Sequence, residues 1–214
     1  MNITAIVPAF NEEKTIGSVL EILVKSSLFS EVIVVDDGSS DHTAQVAETH
    51  GAHVIRQKNQ GKGAALGSGA QAAKSEILFF CDADLTGLTE QHIRSLIDPV
   101  FKGYAALAVG LRDRGRVLGW WMEHVLPLIG GERAIIRDVF LKVMESGIRD
   151  FGIELAMNEY CRTHKLGIKK VRMSGVGQVV KEKKYGMVQG FIRRLGMITQ
   201  VMHAGVRLFF KKND

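Results

Sequence analysis

Glu31-Val32-Ile33-Val34-Val35-Asp36-Asp37-Gly38-Ser39-Ser40-Asp41 is the stretch on which the fold turns. Four consecutive β-branched residues, stopped by an Asp-Gly-Ser cluster, predict a short strand buried on both faces, with carboxylates at its exit. The same grammar recurs on either side. Upstream, Ile3–Val7 is an apolar run closed by Pro8 and followed by Asn11-Glu12-Glu13. Downstream, Ile77–Cys81 runs into Asp82-Ala83-Asp84. Between these runs the spacing changes from two to about three and a half. Helices are predicted over Glu12–Val24 (apolar Ile16, Val19, Leu20 and Leu23), Asp41–Thr49, Lys62–Lys74 and Thr89–Phe101, with further strands at Ala52–Arg56 and Ala105–Val109. Strands alternating with helices imply an α/β chain, a parallel sheet covered by helices on both faces. Such sheets bind ligands beyond the carboxyl ends of their strands. Three acidic clusters at that one end are hard to explain by folding alone.

Composition bounds the rest. The 214 residues are 46% hydrophobic and 24% charged, with a mean hydropathy of +0.06, which suits one folded domain and excludes a disordered chain. No apolar run reaches membrane-spanning length, and the first residues lack a basic segment followed by an apolar one, so a cytoplasmic protein is expected. Cys81 and Cys161 cannot build a disulfide framework, and neither they nor the histidines show zinc spacing. The net charge of +5 sits in residues 181–214, which hold eight Lys and Arg against two acids, leaving the body slightly acidic. A nucleic-acid-binding body would carry that charge itself, so no nucleic-acid partner is expected.

The chemistry is at the strand ends. Asp82 and Asp84, one residue apart, can face one hard divalent cation and bridge it to phosphates; alternatively they are turn formers at a strand exit. The Asp36-Asp37 pair can accept hydrogen bonds from a nucleobase or ribose, or Ser40 and Asp41 merely cap the next helix. Gly61-Lys62-Gly63 puts a cation between two glycines at a helix start, which suits a phosphate and equally suits an exposed turn. No GxxxxGK[ST] occurs, and the first strand-to-helix turn, Pro8-Ala9-Phe10-Asn11-Glu12-Glu13, has no glycine. P-loop and dinucleotide chemistry therefore fall away.

Taken in order, Val7-Pro8-Ala9-Phe10-Asn11-Glu12-Glu13, Val35–Asp41, Gly61-Lys62-Gly63 and Asp82-Ala83-Asp84 resemble the family 2 glycosyltransferases of the GT-A fold. Within the family the likeness is to glucosyl-3-phosphoglycerate synthase-like enzymes and to dolichol- or polyprenyl-phosphate sugar transferases. It implies a single GT-A domain over 1–214: a nucleotide-sugar half over 1–110, an acceptor half over 111–180, and a basic C-terminal helix over 181–214. It further implies that Pro8, Ala9, Phe10 and Glu12 line the nucleoside pocket, that Asp37 contacts the base, and that Lys62 reaches the diphosphate. Asp82, Ala83 and Asp84 would hold the donor, with Asp82 and Asp84 on Mg²⁺ or Mn²⁺. The reaction implied is hexose transfer from a nucleotide diphosphate sugar, UDP-linked, to a small or lipid-phosphate acceptor.

The second half matches more loosely. Gly130-Gly131-Glu132-Arg133-Ala134 and Phe151-Gly152-Ile153-Glu154 resemble segments of the phosphoglycerate-type enzymes, which makes Glu154 a sugar ligand and Glu132 a second catalytic candidate; Asp150 is a third carboxylate that could serve as base. Where the family carries a late histidine on the metal, this chain reads Gly175-Val176-Gly177-Gln178, so Gln178 or water takes that place. Arg112-Asp113-Arg114-Gly115-Arg116 is the one dense cationic loop, able to grip an acceptor phosphate or to lie exposed. Glu154–His164 is predicted helical, Ile168–Met173 a strand, and Met187–Phe210 a long helix with Val188, Phe191, Leu195, Ile198, Met202, Val206 and Phe209 on one face. With its cations, residues 186–212 could lie peripherally on the inner face of a membrane. The alternative is that the face packs on the domain core or on a second copy of the chain in a homodimer.

Overall fold

The computed structural model describes residues 2–112, 130–145, 147 and 152–179. Trp120-Trp121, the cationic residues 113–116, Asp150, Phe151 and the basic helix predicted over 187–210 lie outside the described residues. The elements in chain order are β1 (Ile3–Ala9), α1 (Ile16–Lys25), β2 (Glu31–Asp36), α2 (Thr43–Thr49), β3 (His53–Arg56), α3 (Lys62–Ala72), β4 (Ile77–Phe80), β5 (Leu85–Thr86), α4 (Glu90–Phe101) and β6 (Leu107–Arg112). They continue with β7 (Arg133–Ile136), α5 (Arg137–Met144), α6 (Ile153–Thr163), β8 (Ile168–Met173) and β9 (Gly177–Gln178). Helix α1 starts later than predicted because Asn11 turns the chain at φ +56° and the Glu12 carbonyl accepts from the Thr15 and Ile16 amides.

Seven strands form one sheet in the order β3-β2-β1-β4-β7-β6-β8. β1 pairs in parallel with β2 and β4, and β3 with β2, as the alternation of elements predicts. β7 departs from it, running antiparallel to both β4 and β6. The result is a mostly parallel GT-A-like sheet with one reversed strand. That reversal places the beginning of β7 beside the ends of its neighbours: Arg133 stands opposite Phe80 and opposite Val109. The carboxyl ends of β1, β2, β4 and β6 and the amino end of β7 therefore share one edge. β5 and β9 pair as a separate two-stranded ribbon in which Leu85 faces Gln178.

The buried strands sort their side chains with period two. Ile3, Ala5, Val7, Val32, Val34, Ile77 and Phe79 pack on one face with α1 and α4. Ile6, Ile33, Val35, Leu78 and Phe80 pack on the other with α3, α5 and α6, where the Phe80 and Phe140 rings meet edge to face at 4.7 Å. Among the described residues, no helix is long and apolar enough to cross a membrane.

Gly67 and Gly69 weaken a helical reading of α3, yet the helix runs through both. Their place is explained by contact with the sheet: a Cβ at position 69 would stand 2.5 Å from Ile6 Cγ2 and 3.2 Å from Val35 Cγ2. In an exposed helix, alanine is better than glycine by about 1 kcal/mol. Here overpacking against two β-branched core side chains costs about 1–3 kcal/mol and outweighs that gain. Gly69→Ala is expected to lower the urea midpoint of unfolding; an unchanged or higher midpoint would mean that α3 sits loosely on β1.

Candidate active site

Lys62 is the centre of the shared edge. It opens α3 immediately after Gly61, whose φ of +91° is a conformation that favours glycine. Its ammonium Nζ lies 2.7 Å from Asp82 Oδ1 and 2.8 Å from Glu154 Oε1. Burial alone would depress this lysine, but the Asp82 and Glu154 carboxylates overcome it and push its pKa above the ordinary value. Lys62 is therefore a fixed cation at physiological pH. Asp82 follows β4, whereas Glu154 sits in the first turn of α6, where a carboxylate also gains from the helix dipole.

A second cation closes the other side of Asp82. Arg112, the last residue of β6, lies 3.4 Å from Asp82 Oδ2 through Nη2 and donates from Nη1 to Gln178 Oε1 at 3.1 Å. Its Nε is 3.2 Å from Glu132 Oε2, but the N–H does not point at the carboxylate, so the contact is Coulombic without a hydrogen bond. Glu132 is fully buried. Burial and the Asp82 charge push its pKa up to about 7, against the opposing pull of Arg112 and Lys62. Beneath it, Arg133 is also fully buried, donating from Nε to the Gly130 carbonyl at 2.8 Å and from Nη1 to Asn158 Oδ1 at 2.8 Å. A side chain at position 131 would collide with Asp82, since a Cβ there would lie 2.2 Å from Oδ2. The Gly130-Gly131 turn is therefore what lets β7 approach the Asp82 carboxylate.

Asp84, buried, accepts the Gln178 amide N–H at Oδ1 over 2.6 Å. The β5–β9 pairing and a hydrogen bond from the Val179 amide to the Asp84 carbonyl bring these two side chains together. Among the described residues, no group of three His, Cys, Asp or Glu could hold a metal ion. The chemistry of the Asp84 carboxylate nevertheless fits a hard divalent cation that completes its shell with phosphate oxygens, whereas Gln178 turns its N–H to Asp84 and its oxygen to Arg112, so it would join such a shell only by turning its amide. Both Asp82 oxygens are engaged by Lys62 and Arg112 in this arrangement.

The residues that the sequence reading assigns to a nucleoside are built on the end of β1. Ala9 accepts the Asp37 amide at its carbonyl (2.8 Å), and Pro8 and Ala9 stand in register with Val35 and Asp36. Asp37 is buried, and its carboxylate accepts from Gln57 Nε2 (2.7 Å) and from the Gln60 (2.9 Å) and Gly61 (2.8 Å) amides. Phe10 is half-buried, and Ala83 is buried beside the ribbon. The Glu12 carboxylate accepts from Thr15 Oγ1 at 2.6 Å, so it is turned towards the start of α1. The edge thus gathers Lys62, Asp82, Glu132, Glu154, Asp84 and Gln178 into one cluster, and joins Asp37 to it through the 57–61 loop. The sequence reading missed Gln57, Arg133 and Asn158. Only Asn158 left a trace, standing four residues after Glu154 on the same helix face.

An α/β sheet with acidic strand ends, a cation at the start of α3 and an Asp-x-Asp exit from β4 defines a GT-A nucleotide-sugar fold. The chain belongs to glycosyl transferase family 2, whose model matches residues 4–156. It is 35% identical over 174 residues to an uncharacterized protein of Methanocaldococcus jannaschii, covering 72% of this chain and 66% of that one. It is 38% identical over 103 residues to a 4,4'-diaponeurosporenoate glycosyltransferase of Staphylococcus aureus, covering 45% of this chain and 28% of that enzyme. The chain thus spans less than two thirds of these relatives' lengths. Among solved structures, it superposes on glucosyl-3-phosphoglycerate synthase from Mycobacterium tuberculosis, in complex with Mn²⁺, UDP-glucose and glycerol 3-phosphate, with a TM-score of 0.76 and 25% identity, covering 97% of this chain and 79% of that one.

The raised Glu132 pKa has a consequence for stability. The folded protein binds this proton more tightly than the unfolded chain, so the contribution is fully present below pH about 4.5 and fades as pH rises towards about 7. Glu132→Gln removes that loss. The stability of the variant relative to the wild type is expected to rise between pH 4.5 and pH 7 and to level off above it. Urea unfolding at a series of pH values reads the difference, and a flat difference would show that Glu132 stays ionised throughout.

Proposed function

We propose that the chain is a metal-dependent hexosyltransferase that moves a sugar from a nucleotide diphosphate sugar, UDP-linked, to a small phosphorylated acceptor. The observation that carries this reading is the Lys62 ammonium clamped between Asp82 and Glu154 at the strand ends. A fixed cation there, at the start of a helix, meets the diphosphate of a donor whose nucleoside lies over Pro8, Ala9 and Asp37. The UDP-glucose, Mn²⁺ and glycerol 3-phosphate of the mycobacterial complex support this choice of donor, metal and acceptor class.

Each residue then has a separate task. Asp84 would hold Mg²⁺ or Mn²⁺, with Gln178 joining it once its amide oxygen turns from Arg112; when bound, the metal supplies charge neutralisation on the departing diphosphate. Asp82, engaged by two cations, orients Lys62 and Arg112 towards the donor. Glu154, held by the Lys62 ammonium, faces the sugar with a carboxylate that can accept from sugar hydroxyls. Glu132 lies fully enclosed against Arg112 and acts as a positioning residue for that guanidinium, rather than as a base for an acceptor hydroxyl arriving from solvent. A catalytically silent nucleotide-sugar-binding module would share the pocket, and turnover of the donor separates the two.

Calorimetry and donor hydrolysis with UDP-glucose, with and without Mn²⁺, provide the test. The wild type is expected to bind UDP in a Mn²⁺-dependent manner and to turn over the sugar nucleotide. Asp84→Ala should reduce turnover by about 10²–10³-fold, the scale of losing one electrostatic stabiliser of the leaving group. Glu154→Gln should lower transfer while leaving affinity for UDP within about two-fold, since the amide keeps an oxygen acceptor for Lys62 and Asp82 still holds that ammonium. Equal loss of UDP affinity in both variants would overturn this division, and binding without any turnover would favour the silent module.

A further inference from the structure

Asp37 does more in this fold than follow β2. The three groups that donate to its carboxylate all belong to the segment that leads from β3 into α3: the Gln57 side chain and the Gln60 and Gly61 amides. Gln57 is itself held from behind, because Ser68 Oγ donates to its Oε1 at 2.6 Å, which leaves Nε2 to donate to Asp37. Ser68 lies one and a half turns into α3. A hydrogen-bonded chain thus runs Ser68–Gln57–Asp37–Gly61 and closes on the residue before Lys62. Gly38 brings the loop near: a Cβ there would lie 2.9 Å from the Asn59 nitrogen, and its φ is +81°.

We infer that Ser68, Gln57 and the Asp37 carboxylate form a positioning relay that sets the start of α3, and through it the Lys62 ammonium between Asp82 and Glu154. This inference rests on the proposed function only for its consequence in donor binding; the placement of Lys62 stands apart from it. The geometric argument is direct. The Gly61 amide is one of the first N–H groups of α3, which the helix itself cannot satisfy. The Asp37 carboxylate satisfies it with a charge-assisted bond and fixes the direction in which the next side chain leaves the turn. Lys62 then reaches two buried carboxylates on two other elements, a geometry that tolerates little displacement of its Cα. The nucleoside and diphosphate ends of the site are in this way mechanically joined through one carboxylate.

The test reads Lys62 without any ligand. Full-length wild type, Gln57→Leu, Ser68→Ala and Asp37→Asn are labelled with limiting acetic anhydride, and each lysine is followed by mass spectrometry, with exposed Lys102 as internal reference. Labelling of Lys62 is expected to rise about five-fold in Gln57→Leu and Asp37→Asn, the scale of one lost hydrogen bond, and by less in Ser68→Ala. Hydrogen exchange at the Gln60 and Gly61 amides should accelerate in the same two variants while the β2 amides keep their protection, which separates a local effect from unfolding. Unchanged Lys62 labelling in all three variants would overturn the relay. A second arm titrates UDP and uridine in the presence of Mn²⁺. Gln57→Leu should weaken UDP more than uridine, and the excess should vanish in a Lys62→Met background. Equal weakening of both ligands would place the role of Gln57 at the base alone and sink the link to Lys62. If the wild type binds neither ligand while the labelling result holds, the nucleotide reading fails and the relay stands.

Discussion

Four carboxylates crowd one end of a single sheet, and the Lys62 ammonium is the group that makes this tenable. Asp82, Asp84, Glu132 and Glu154 come from the exit of β4, the turn before β7 and the first turn of α6, and all are largely withdrawn from water. Ionised carboxylates gathered in a poorly solvated place repel one another and lose hydration. Lys62 touches two of them, Arg112 touches two, and Asp82 is shared by both cations. Removing one member of such a network leaves its partner buried and uncompensated, which costs far more than the pair contributes. The position of Glu132 shows where compensation is incomplete: its oxygens lack hydrogen-bond partners among the described residues, and burial together with the Asp82 charge pushes its pKa towards neutrality.

This network requires the reversed strand. In a sheet of parallel strands only, the residue before β7 would sit at the opposite edge, a full strand length from Asp82. Running β7 backwards puts Glu132 and Arg133 beside the ends of β4 and β6. The approach has its own steric condition, met by the Gly130-Gly131 turn: position 131 abuts the Asp82 carboxylate and position 130 abuts the Gly110 carbonyl, at 2.3 Å from a would-be Cβ. The fold and the site are linked here by sterics as much as by charge.

The first half of both fold and site was legible in the sequence because each motif follows directly on the strand that delivers it. Val32–Val35 ends in Asp36-Asp37 and Ile77–Phe80 leads to Asp82, so periodicity and position give strand, edge and chemistry together. Gly61-Lys62-Gly63 was readable for the same reason, standing at a helix start. β7 was not. Its four residues carry no periodicity, and its direction follows from pairing with strands more than fifty residues upstream and more than twenty upstream, which no local signal encodes. Arg133 escaped for a related cause: nothing in Gly130–Ala134 says that this arginine is buried against Asn158 while Arg112 enters the Asp82 site. The resemblance of Gly130–Ala134 and of Gly152–Glu154 to known segments marked Glu132 and Glu154, but it could not tell a carboxylate enclosed against Arg112 from one paired with Lys62.

Gln178 stands where the family resemblance led one to expect a histidine, and its chemistry differs from that of an imidazole. A histidine at that place would be a ligand whose availability falls with protonation near neutral pH. An amide has no such titration. It offers one carbonyl acceptor and two N–H donors, so it can touch an anion and a cation at once. In this fold it does both, donating to Asp84 and accepting from Arg112, and so ties the ribbon formed by β5 and β9 to the end of β6. The two carboxylates of the Asp-x-Asp exit are thereby given different surroundings. Asp82 stands between two cations, whereas Asp84 accepts from a neutral amide. The difference in surroundings arises from residues that lie 30 and 94 positions away from the motif itself.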